Sequence, residues 1–94
     1  MSTILELQSE ALPADCYVFK HSTRCPTSAA AARVVRAHSF DLPLYWINVI
    51  EQRALSDWVA RAYAVRHESP QLLEIRGGRL KRSLSHSQIS EAAL

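Results

Sequence analysis

The chain has 94 residues, of which 48% are hydrophobic and 21% charged, and it carries a formal net charge of +2. A chain this short forms one small domain over residues 1–94, with a core but no spare layers, and its near-average composition gives no indication of disorder. Its arginines are scattered from Arg24 to Arg82, a pattern of solvated faces that argues against a nucleic-acid partner.

No apolar run approaches the roughly 20 residues of a membrane span, and the N-terminus lacks the apolar core of a signal peptide. The expectation is a cytoplasmic protein with no membrane partner. Two cysteines in that compartment point to a reactive or inert thiol in preference to a structural disulfide.

In chain order, the loose apolar spacing of Ile4, Leu5, Leu7, Ala11 and Leu12 predicts a short helix that Pro13 ends. Cys16 to Lys20 is a continuous apolar run suited to a strand covered on both faces. The alanine-rich segment Ala29 to His38 predicts the first major helix, and Leu44 to Val49, rich in aromatic and β-branched residues, a second strand. Leu55, Trp58, Val59, Ala62 and Tyr63 make one helical stripe. Gln71 to Arg76 and Arg79 to Leu84 are strands joined by Gly77-Gly78, which permits the positive φ angles of a tight hairpin. Ser85-x-x-Gln88 has the form of a capping box and predicts a last helix towards Leu94, burying Ile89, Ala92 and Ala93. The order (α)βαβαββα predicts an α/β, thioredoxin-like fold with a four-stranded mixed sheet flanked by helices.

The stretch from Lys20 to Ser28 joins the first predicted strand to the first major helix, and it reads strand, tight loop, cysteine, proline, helix. A cysteine at the N-cap sits over the free N–H groups of the first turn, and Pro26 at N1 removes an N–H that had no partner. The helix macrodipole and the adjacent Arg24 both favour a Cys25 thiolate, which is a nucleophile. The competing reading of Cys25 is a small core residue. Thr27 and Ser28 are expected to aim backbone N–H groups at the sulfur; the Ser28 hydroxyl is either a further donor or a surface group. Cys16 lies at the far end of the strand, about 13–17 Å from the loop, too far for a disulfide without unravelling, and is read as core. The four histidines are widely spaced and neither cysteine has a partner at a zinc-ligand interval, so no metal is expected. His21 and His67 read either as imidazolium neighbours of the loop or as surface residues.

The run from Phe19 to Ser28, FKHSTRCPTS, resembles the signature of the monothiol bacilliredoxins, thioredoxin-like proteins of the bacillithiol redox system. Arg66-His67-Glu68-Ser69-Pro70-Gln71, followed by a strand, Gly77-Gly78 and another strand, resembles a second family signature, and Asn48 to Arg53 is similar to the exit of the family's second strand. The likeness runs from about Leu12 to the C-terminus. It implies a monothiol thiol–disulfide oxidoreductase that removes bacillithiol, or an equivalent small thiol, from protein mixed disulfides. Cys25 is then the catalytic nucleophile, with Arg24, Pro26, Thr27 and Ser28 stabilising the thiolate. Ser28 stands where dithiol relatives keep a resolving cysteine. Pro70 is implied to be the cis-proline facing the nucleophile, with His67 and Ser69 sharing in substrate binding. Thr27 departs from the apolar residue frequent at that position, which touches substrate preference.

The resemblance implies no bound cofactor, with the small thiol as co-substrate. Its implied partners are S-thiolated client proteins and the reductase of the small-thiol disulfide, the chain itself being a monomer or weak dimer. Two other readings are a general thioredoxin-like disulfide reductase, disfavoured by the absence of sulfur at Ser28, and a thioredoxin-fold adaptor that does not turn over.

Overall fold

The run Cys16-Tyr17-Val18-Phe19-Lys20 is buried along its whole length because it is the middle of the sheet, flanked by strands on both edges. A computed structural model describes residues 3–94. Its strands are β1 (Ile4–Glu6), β2 (Cys16–His21), β3 (Leu44–Asn48), β4 (Gln71–Arg76) and β5 (Arg79–Ser85); its helices are α1 (Pro26–Ala37) and α2 (Arg53–Ala62). The sheet order is β1-β3-β2-β4-β5, parallel from β1 through β3 to β2 and antiparallel from β2 through β4 to β5. This is the thioredoxin-like α/β architecture expected from the sequence.

Alternation along the strands divides the core in two. Tyr17, Phe19, Leu44 and Leu72 face Ala31, Ala32 and Val35 of α1. Cys16, Val18, Ile47, Leu73 and Ile75 face Val59 of α2. The predicted stripe of α2 is the side it turns inward, with Leu55, Trp58 and Tyr63 half-buried against the same cluster, although Ala62 remains exposed. Trp46 packs at the margin of the α1-side core. Gly77 and Gly78 take φ angles of +61° and +75°, the left-handed pair that a tight hairpin requires.

Two elements differ from the sequence reading. Ile4 to Leu12 is not a helix. Its first residues form β1, paired in parallel with β3 at Ile4–Leu44 and Glu6–Trp46, and the sheet therefore has five strands. The Leu7 N–H donates to the Trp46 carbonyl at 3.0 Å, so this segment satisfies its backbone on the open edge of β3, where so short an isolated helix would be marginal. At the other end, Ser85 and Gln88 do form the capping box, but what they open is a single 3₁₀ turn, His86–Gln88. Ile89 then enters the core in extended conformation, Ala92 is exposed, and Leu94 packs beside the α1-side core. No helix among the described residues is long and apolar enough to cross a membrane.

Candidate active site

Strands β2 and β3 run parallel, so their C-terminal ends lie at the same edge of the sheet, and β4 enters from that edge because it is antiparallel to β2. The pairing Lys20–Gln71 closes the β2–β4 ladder. Beyond it, β2 leads into the Cys25 loop and Pro70 precedes β4, which brings both sequence motifs to one end of the fold.

Cys25 is the N-cap of α1, with extended backbone (φ −114°, ψ 119°) and Pro26 at the start of the helix. Its carbonyl accepts the first helical bond from the Ala29 N–H at 3.1 Å, and its own N–H donates to the Ser22 carbonyl at 3.3 Å, closing the loop. The thiol is partly exposed and unpaired with any other sulfur. It makes no capping hydrogen bond to the first turn, contrary to the expectation for Thr27 and Ser28. Arg24, Pro26 and Thr27 are exposed beside it.

Ser28 is neither a surface hydroxyl nor a bonded partner of the sulfur. It is wholly buried, its Oγ accepting the Ser22 N–H at 2.9 Å and lying 2.8 Å from His21 Nδ1. The position that would hold a resolving sulfur is thus used to fasten the nucleophile's loop to the end of β2. His21 in turn lies against Phe19 and Trp46, with ring centroids 6.0 and 5.5 Å away. Partial burial, with a contribution from the Arg36 charge, lowers its pKa below the ordinary histidine value. His67 is lowered too, by partial burial first and then by Lys20. Both shifts run against the charged form of the ring, the direction opposite to the imidazolium role considered for them.

Cys16 is a core residue, as its place on the strand predicts. It has no exposed surface, its thiol donates weakly to the Pro13 carbonyl at 3.6 Å, and burial pushes its pKa up to about 11. It starts the strand that Cys25 follows, about 16 Å of extended chain away.

The Ser69–Pro70 peptide is cis, in agreement with what the family likeness implied. Pro70 is buried and its carbonyl accepts the His86 N–H at 3.0 Å. Ahead of it stands a group that the sequence reading did not find. Lys20 is fully buried, and its ammonium donates to the Ser56 carbonyl at 2.9 Å and to His67 Nδ1 at 3.2 Å. The signal in the sequence was a lysine inside an apolar strand run, which by alternation had to face α2. An open cleft of about 390 Å³ between β1 and α1, lined by Ile4, Arg36, Trp46 and Glu51, contains none of the predicted site residues. Among the described residues no cluster of histidine, cysteine and carboxylate side chains could hold a metal ion.

The profile of the monothiol bacilliredoxin BrxC family matches residues 1–94. Among solved structures, a thioredoxin-fold protein proposed to be an oxidoreductase superposes with a TM-score of 0.80 at 28% identity, covering 97% of this chain and 89% of the other. Desulfothioredoxin from Desulfovibrio vulgaris Hildenborough gives a TM-score of 0.66 at 20% identity, over 98% of this chain and 91% of its own. A point-mutant thioredoxin from Halobacterium salinarum NRC-1 gives 0.69 at 21% identity, over 97% and 83%. At these last identities the likeness is one of fold, and it matches the sheet order and helices described above.

Proposed function

The chain belongs to the monothiol bacilliredoxin family and with it to the thiol–disulfide oxidoreductases of thioredoxin fold, and from that premise we propose that it removes bacillithiol, or an equivalent small thiol, from protein mixed disulfides through Cys25. The observation that carries the reading is the pair Cys25 and Ser28: an accessible sulfur at a helix N-terminus, with a buried, hydrogen-bonded hydroxyl three residues on. The cysteine begins α1, with Arg24 exposed beside it.

In the first step the Cys25 thiolate attacks the small thiol's sulfur in the client mixed disulfide. The S–S bond to the client breaks, the client leaves as a thiolate that takes a proton from water, and a new S–S bond joins Cys25 to the small thiol. No second sulfur at position 28 can displace it. A free small thiol, as thiolate, then attacks the adduct, giving the small-thiol disulfide and restoring the Cys25 thiolate. In this reading the exposed Arg24 meets a carboxylate of the small thiol, and Pro26 and Thr27 form the first turn that follows the nucleophile. Ser69 and Pro70 with His67 form the edge against which the client's extended backbone docks. No bound cofactor takes part. The partners are S-thiolated clients and the reductase of the small-thiol disulfide, with no nucleic acid or membrane; the protein works in the cytoplasm as a monomer or weak dimer.

The test is to incubate the protein with a single-cysteine client carrying bacillithiol in mixed disulfide. The reading expects client release with one small-thiol adduct appearing on Cys25, and none in Cys25→Ser. Release without that adduct, or undiminished release by Cys25→Ser, would overturn it.

A further inference from the structure

Four polar or charged side chains are buried among the described residues: Lys20, Ser28, Ser56 and Gln71. Ser28 serves the nucleophile's loop. The other three come from β2, α2 and β4, and all of them reach the same two residues. Lys20 Nζ donates to His67 Nδ1, Ser56 Oγ lies 3.3 Å from that same nitrogen, and Gln71 Nε2 donates to the Arg66 carbonyl at 2.9 Å. Lys20 and Gln71 are cross-strand partners, so their side chains share the α2 face of the sheet. Arg66 and His67 closely precede the cis Ser69–Pro70 peptide.

This arrangement is costly to the fold. A fully buried ammonium loses its hydration, and Gln71 Oε1, also buried, has no hydrogen-bond partner among the described residues. An apolar side chain beside Ile47 and Leu73 would avoid that cost. The donors also fix the histidine. With Lys20 and the Ser56 hydroxyl both directed at Nδ1, that nitrogen is the acceptor and the ring proton is on Nε2. The charged groups acting on the pair are Asp57 and Arg53 from α2 and Glu68 from the segment itself; the cross-strand neighbours of Lys20, Ile47 and Gln71, carry no charge.

We propose that Lys20 is a positioning residue for the exchange reaction, acting through His67 to hold the 66–70 segment where an S-thiolated client docks. The inference rests on the reading of Ser69 and Pro70 as the client-binding edge. Lys20 touches neither sulfur in this scheme; it sets the place of a neighbour that does meet the client.

The experiment uses the same single-cysteine client carrying bacillithiol and measures KM and kcat for wild type, Lys20→Met, His67→Phe, His67→Asn and the double variant Lys20→Met/His67→Phe. The alkylation rate of Cys25 by iodoacetamide is followed in parallel. Losing a hydrogen bond to a charged group should raise KM about tenfold or more in Lys20→Met and in His67→Phe. The double variant should be no worse than either single one, because one tether is broken in all three. His67→Asn, whose Oδ1 stands in for Nδ1, should recover most of the affinity. Alkylation of Cys25 should stay at the wild-type rate throughout. An unchanged KM, additive losses, His67→Asn as poor as His67→Phe, or a parallel fall in Cys25 alkylation would each overturn the role given to Lys20. Should Lys20→Met fail to fold, the exposed position 67 decides the matter through its Phe and Asn variants. Wild type that takes no small thiol from the client would instead overturn the functional reading itself.

Discussion

The Ser28 hydroxyl lies 2.8 Å from His21 Nδ1 while accepting the Ser22 backbone N–H at 2.9 Å, so one buried oxygen joins the first turn of α1 to the loop's entry. Ser28→Ala removes that oxygen and leaves a part-buried donor unpaired. The expected cost is about 1–3 kcal/mol, the penalty for stranding such a group. Urea unfolding with an unchanged slope and a lower midpoint would report it. A midpoint equal to that of wild type would mean the hydroxyl holds nothing.

Two thiols in one chain should behave as different chemicals. Cys16 is without exposed surface and its pKa is pushed up to about 11, whereas Cys25 is partly exposed at a helix start. Iodoacetamide at about pH 8 should therefore label Cys25 alone in the native protein, and both cysteines in urea. Peptide mapping by mass spectrometry reads this directly. Native labelling at Cys16 would contradict the placement of that residue in the core.

How far the fold could be read in advance depended on how local each signal was. The hairpin at Gly77-Gly78, the α2 stripe and the strand–Cys–Pro–helix junction are set by neighbouring residues, and each stands where the sequence put it. β1 was missed because Ile4, Leu5 and Leu7 fit a helix as readily as a strand, and the choice was made by a pairing with Leu44 to Trp46. The capping box at Ser85 was correctly identified, yet a cap fixes only where a turn begins; Ile89 entering the core ended it after one. At the site, the nucleophile was legible from its local grammar. The partners of Ser28 could be guessed only by type; the place of Lys20 in an apolar strand run signalled its burial, but its partner His67 lies too far away in sequence for any local pattern to reveal.

The histidines offer a test of the site's geometry that needs no substrate. His21 and His67 should both titrate below the ordinary value of 6.5, each mainly through partial burial. Their secondary causes differ: Arg36 acts on His21, and Lys20 on His67. In an NMR titration, Arg36→Ala should raise the pKa of His21 and leave His67 alone, and Lys20→Met should do the reverse. Equal responses of both rings to either substitution would show that the two clusters are not separate.

The buried ammonium also leaves a signature in the pH dependence of stability. Burial lowers the Lys20 pKa from 10.5 to about 8, with Asp57 opposing the shift. The folded state therefore gives up this proton more readily than the unfolded one. Below about pH 8 the full cost of burying the charge is present; between about 8 and 10.5 the unfolded chain holds more protons, and stability due to this group rises with pH. Cys16 works in the opposite sense, since a folded thiol that keeps its proton to about pH 11 loses stability above its ordinary value of 9.0. Comparing wild type with Lys20→Met cancels the Cys16 effect, because both proteins contain it. The unfolding free energy of Lys20→Met minus that of wild type should fall by about 3 kcal/mol between about pH 7 and pH 10.5, the equivalent of the lysine's shift. Urea titrations across that range measure the difference directly. A difference independent of pH would place the Lys20 ammonium in contact with water, and the tether to His67 with it.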